Sequence, residues 1–177
     1  MRLFISLHLI GETINHYWNN MNEFESICKE IRELLAVWEP LLLSLNENAI
    51  TERRNSQKRS IKQILGHMAD SASNNTHRVV HLQYQPSPLQ FPNYASHGNN
   101  DRWIAIQDYQ HEDRNNLIFL WKYANLHWVH IIGNVDLTML DNVWQSDENK
   151  FVSLRDSIFD YLRHFKLHLS EIEELIQ

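Results

Sequence analysis

Two histidines four apart, His164 and His168, sit in RHFKLHLSEIEELIQ, the closing stretch of this 177-residue chain. On a helix, residues i and i+4 lie one turn apart on one face, so both imidazoles can reach a single ion. A protein metal site needs a third ligand, normally from a neighbouring helix. His67, in IKQILGHMADSASNN, is placed for that role, beside the apolar stripe of Ile64 and Met68. Three neutral imidazoles with a fourth position left open are the ligand set of a catalytic metal. Imidazole suits zinc or nickel; calcium and magnesium prefer oxygen. The competing reading is three core histidines bonded to backbone carbonyls, and residue types alone leave both readings open.

Other groups could act beside such a centre. Asp70 follows His67 by three residues and could orient it or serve as a base. His127 and His130 are three apart in NLHWVHIIGN. His127 is expected on a core stripe one turn after Ala124, as a partner to a ligand or a substrate contact; His130 is a pocket candidate. Asp101 and Trp103 are expected to line the mouth of a pocket. The chain shows no HExxH, no phosphate-binding glycine loop and no Ser–His–Asp order.

Composition narrows the function classes. The net charge of -6 argues against a nucleic-acid groove, which needs a basic stripe to displace phosphate counterions. One cysteine, Cys28, excludes an internal disulfide framework and a cysteine zinc cage, which fits a reducing cytoplasm. The opening MRLFISLHLI is too short to span a bilayer, and His8 interrupts it. Met21 precedes a clean helical pattern, so residues 1–20 read as an N-terminal extension and 21–177 as one domain.

The elements that must position the histidines follow from apolar periodicity. The hydrophobic fraction is 43%, enough for a sizeable core, and only four Gly and four Pro argue against an all-β fold. The spacing predicts four helices. The first covers about 21–46, with Phe24, Ile27, Ile31, Leu34, Leu35, Trp38, Leu41 and Leu42 inward and Pro40 kinking or ending a turn. The second begins near Ser60, an N-cap residue, and carries Ile61, Ile64, Leu65, Met68, Ala72, Val79 and Leu82. The third covers about 110–132, with Leu117, Leu120, Trp121, Ala124, Trp128 and Ile131 as its stripe. The fourth covers about 153–176, with the seam Leu154, Ile158, Tyr161, Phe165, His168, Ile172 and Leu175.

Between the second and third lies a long polar connection, YQPSPLQFPNYASHGNNDRW. A connection that long permits a crossover, giving an all-α four-helix bundle in up-down-down-up order. Helix rise tests the idea. His67 lies roughly 10 Å above the start of its helix, and the His164–His168 midpoint roughly 15 Å from the end of its own. Antiparallel packing brings the two levels within about 5 Å; parallel packing leaves about 9 Å. The crossover and the three-histidine site therefore support each other.

These stretches resemble a known family. IKQILGHMADSASNNTHR is similar to the second helix, and RDSIFDYLRHFKLHLSEIEELI to the last helix, of the DinB-like (YfiT-like) superfamily of metal-binding four-helix bundles. FPNYASHGNNDRWIAIQDYQ and LWKYANLHWVHIIGNV resemble the crossover and third helix of one bacterial branch, so the resemblance spans about 22–177. It implies a metal triad of His67, His164 and His168 and a bundle that is often a homodimer. It also implies a metal-dependent hydrolase or thiol S-transferase, whose small-molecule substrate could be a low-molecular-weight thiol. Despite the family name, it implies no nucleic-acid partner. The alternatives are a non-catalytic metal- or small-ligand-binding bundle and a structural dimerisation module.

Overall fold

The computed structural model describes residues 23–177. The assigned extension, residues 1–20, lies outside them. Six helices and one hairpin follow in order: α1 (Glu25–Ser44), α2 (Glu47–Thr51), α3 (Ile61–Leu82), α4 (Asn99–Gln107), α5 (Arg114–Gly133), β1 (Val143–Asp147), β2 (Lys150–Ser153) and α6 (Leu154–Ile176). The long helices α1, α3, α5 and α6 form the bundle.

Ser60 starts α3 as its sequence predicts. Its hydroxyl accepts from the Gln63 backbone N–H at 3.2 Å, and the Gln63 side chain accepts from the Ser60 N–H at 3.0 Å. This reciprocal pair satisfies two amides that a helix start would otherwise leave unbonded. Asp113 and Ser153 cap α5 and α6 in the simpler way, each accepting from an amide three residues on.

Contacts between helix ends fix the directions. Arg114, at the start of α5, donates to the Leu45 carbonyl just after α1, and Lys122 pairs with Glu39 at 2.8 Å, so α1 and α5 are antiparallel. Ser60 donates to Gln110 before the start of α5, while Gln83 after α3 accepts from the Asp136 amide after α5, so α3 and α5 are parallel. Asn55, before α3, meets Glu171 near the end of α6. Asn142, just ahead of β1 and α6, donates to the Leu82 carbonyl at the end of α3. Helices α3 and α6 are therefore antiparallel. The order is up-down-down-up, as the crossover requires.

The core lies where the four helices meet. Trp128 stacks on Tyr161 with ring centroids 3.9 Å apart, and Trp121 stacks on Phe165 at 6.0 Å. The Tyr161 hydroxyl donates to Asn125 at 2.6 Å, which satisfies the polar tip of a ring buried across the bundle. All seven predicted seam residues of α6 are buried.

Several local expectations change. Pro40 does not end α1, which continues to Ser44. The polar stretch after α1 holds the short α2, the crossover holds α4, and the segment between α5 and α6 holds the hairpin. Leu89 in the crossover bridges to Trp144 in β1, so the two long connections join at one side of the bundle. The α5 stripe is also rotated: Ile118, Asn125, Val129 and Ile132 are buried, whereas Leu120 is exposed. Helix α5 also exposes Phe119 and Tyr123. A helix apolar nearly all round gives its period no unique phase.

Candidate metal centre

His67, His164 and His168 come together, each offering one ring nitrogen within 4.8 Å of the other two. For ligand bonds of about 2.0–2.1 Å, tetrahedral geometry sets nitrogens about 3.3 Å apart. The Nε2 atoms of His164 and His168 are 3.0 Å apart. Antiparallel α3 and α6 put the three at one level. His67 and His168 are 3% and 5% exposed, so almost nothing but protein surrounds them.

The outer nitrogens are held. His168 Nδ1 lies 3.0 Å from a Glu171 carboxylate oxygen, one helical turn on. A carboxylate only accepts, so Nδ1 carries the proton and Nε2 keeps a lone pair. That lone pair points at His164 Nε2. On His67, Nδ1 lies 3.1 Å from the Tyr94 hydroxyl oxygen, which also donates to the His67 carbonyl at 3.4 Å. This leaves Nε2 of His67 as its free lone pair. Ligating histidines are oriented in this way by carboxylate and hydroxyl partners. The 3.0 Å contact between His164 and His168 is one that a proton or a cation must bridge, and with their facing nitrogens unprotonated the three rings can converge on a divalent cation.

The electrostatics agree. Burial depresses the His67 pKa to about 2, with His168, His164 and Arg59 adding to the effect. Burial, with His168 next, lowers His164 to about 4. Burial also lowers His168, opposed by the Glu171 bond. The rings are therefore neutral at neutral pH, which is the form that binds metal.

The remaining predicted residues divide. Asp70 is buried, but its Oδ1 accepts from Tyr109 at 2.7 Å and Gln107 at 2.8 Å rather than from His67. Burial raises its pKa against those two bonds. The group that orients His67 is Tyr94, so the expected orienting role of Asp70 is corrected. His127 and His130 are both exposed on α5 and stack on each other at 6.5 Å. The rotated stripe carries them off the core, away from the histidine cluster. Asp101 and Trp103 form a second layer rather than a pocket mouth. Asp101 accepts from the buried Arg59 guanidinium at 2.5 Å, and Trp103 packs edge-on against Tyr94 at 5.4 Å.

A cleft of about 540 Å³ opens beside the cluster, lined among others by His164, Tyr94, Tyr161, Arg78 and Trp144. Its walls are α3, α6, the crossover and the hairpin. Sequence reasoning missed Tyr94, Glu171 and Arg59. Glu171 had a signal, a carboxylate three residues after a candidate ligand on the same helix face. Tyr94 and Arg59 had none, because irregular connections deliver them.

No protein-family model matches the chain. A curated protein of Halalkalibacterium halodurans named "Putative metal-dependent hydrolase" is 24% identical over 150 residues, covering 84% of this chain and 83% of that one. The solved structure of YfiT from Bacillus subtilis, described as "a probable metal-dependent hydrolase with an unusual four-helix bundle topology", has a TM-score of 0.72. It covers 88% of this chain and 87% of its own at 14% identity. The relative and the shared fold support the YfiT-like family, the DinB-like four-helix bundles that the helix motifs resemble.

Proposed function

We propose that this chain is a divalent-metal-dependent hydrolase acting on a small molecule, with zinc or nickel held by His67, His164 and His168. The observation that carries the proposal is the convergence of three neutral imidazoles, two of which have their outer nitrogens held by Tyr94 and Glu171. When bound, the ion supplies Lewis acidity toward water and a substrate carbonyl. The chain's own residues do the rest. Tyr94 and Glu171 hold the Nδ1 protons of His67 and His168. Burial excludes bulk water from two of the three rings. The Tyr94 hydroxyl, pushed upward in pKa chiefly by burial, stays protonated, and its ring lines the cleft. The cleft suits a small-molecule substrate in size.

Thiol S-transfer on a low-molecular-weight thiol would use the same ligand set; hydrolysis is preferred because it is the activity named for both similar proteins. Metal binding without turnover is the second reading, favoured by the engagement of Asp70 with Tyr109 and Gln107. Metal analysis of untagged protein tests the proposal, with one zinc or nickel per chain expected and its loss in His67→Ala. Protein that neither carries nor takes up either metal would refute it. A metal-loaded protein inert toward ester, amide and thiol-adduct panels would favour the second reading.

A further inference from the structure

Arg78 sits on α3, eleven residues after His67. Eleven residues are close to three full turns, so the two share a helix face about 16 Å apart along the axis. The Arg78 side chain is 92% buried, being 8% exposed, and lines the same cleft as His164. Its guanidinium carbon lies 3.7 Å from the centroid of the Trp144 ring, so one face of the planar group is packed. Trp144 is itself fixed by donating its indole N–H to the Phe91 carbonyl at 2.8 Å.

Among the described residues, no carboxylate pairs with Arg78, and its buried Nε has no acceptor. The Ser157 hydroxyl, across the cleft on α6, is likewise buried without a partner. A buried cation without a counter-charge is costly. Burial, opposed by Tyr94, draws the Arg78 pKa down to about 10, which still leaves it charged at neutral pH. Arg59 and Lys62, also buried, each have an acidic partner; Arg78 does not. Two residues with unsatisfied donors thus line one cavity beside the histidine cluster.

We infer that Arg78 is the binding group for a carboxylate on the substrate. As a substrate subsite this rests on the metal-dependent reading above; as an anion site it does not. The fork of a guanidinium matches a planar carboxylate with two parallel N–H···O bonds. Asp156 and Asp160 line the same cleft with Lys150 and Arg163, so those four charges offset one another and the single unpaired guanidinium matches a carboxylate monoanion rather than a phosphate dianion. The substrate is then an elongated acid, with its carboxylate at Arg78 and its reacting group toward the histidines.

The test is calorimetric titration of the full chain, as purified and after metal removal, with hexanoate, hexanamide and inorganic phosphate. Hexanoate should bind at least about ten-fold more tightly than hexanamide in both forms, a gap of about 1.4 kcal/mol. Arg78→Met should abolish the preference while leaving metal affinity unchanged, which also shows that the fold is intact. Arg78→Lys keeps the charge and loses the fork, so it should weaken hexanoate several-fold and serves if Arg78→Met does not fold. Equal binding of acid and amide, no binding of hexanoate, tighter binding of phosphate, or an unchanged preference in either variant would overturn the assignment. Because the metal-free arm needs no ion, failure of the metal-dependent reading would leave its result standing.

Discussion

Glu171 gives the sharpest test of the metal centre because it touches a proposed ligand without being one. Its carboxylate accepts from His168 Nδ1 at 3.0 Å and from the Asn55 side chain at 3.2 Å. Glu171→Ala removes a hydrogen bond to a charged acceptor, worth about 1.5–3 kcal/mol in isolation. Part of that loss falls equally on the metal-free and metal-bound protein and cancels from the affinity. What remains is the strengthening of the bond when ligation makes Nδ1–H more acidic. Partners of this kind typically contribute about 10–100-fold in metal affinity, or about 1.4–2.7 kcal/mol. The lower half of that range is expected, since His168 is also fixed by burial. Glu171→Gln keeps an acceptor and drops the charge, so its loss should be a few-fold. Competition for zinc against a chromophoric chelator measures both, with circular dichroism confirming the helices. Wild-type affinity in a folded Glu171→Ala protein would refute the orientation argument.

Three further outcomes follow from the same geometry. Metal-free protein should lose stability as pH falls from about 6.5, because the unfolded state protonates its histidines while folded His67 and His164, depressed to about 2 and about 4, do not. The slope is about 1.4 kcal/mol per pH unit for each ring; urea midpoints at pH 7 and pH 5 read it, and a profile unchanged by His67→Gln would count against it. Tyr94→Phe keeps the ring against Trp103 but loses the hydroxyl at His67 Nδ1, so zinc affinity should drop with thermal stability changed by only about 1 kcal/mol; an affinity equal to wild type would show that Tyr94 does not orient the ring. Gly66→Ala should destabilise by about 1–3 kcal/mol in thermal melts, since its Cβ would sit 2.1 Å from the Tyr109 ring that holds Asp70, and a neutral effect would mean the ring moves freely.

Much of this protein is written in local pattern. The period of three and four in RDSIFDYLRHFKLHLSEIEELIQ places His168 on the buried seam and His164 beside it, because helix geometry is set within a few residues. Ser60 with Gln63 marks the start of α3 for the same reason. The length of the crossover allowed two parallel neighbours, and axial counting then matched His67 to the pair. Where local pattern was ambiguous, it failed. Helix α5 carries apolar residues on most of its surface, so only packing against α1 and α3 could choose its phase, and that choice turned His127 and His130 to solvent. Residues in irregular segments had no period to betray them. Tyr94 on His67, Arg59 near all three rings, and Trp144 beneath Arg78 each arrive from a loop or hairpin. The sequence by itself determined the four helices and three of the histidines; the tertiary structure decided which groups hold them and what faces the cleft. Helical period is a short-range property of the chain, whereas the Tyr94–His67 and Trp144–Arg78 contacts join residues 27 and 66 positions apart and exist only once the bundle has closed.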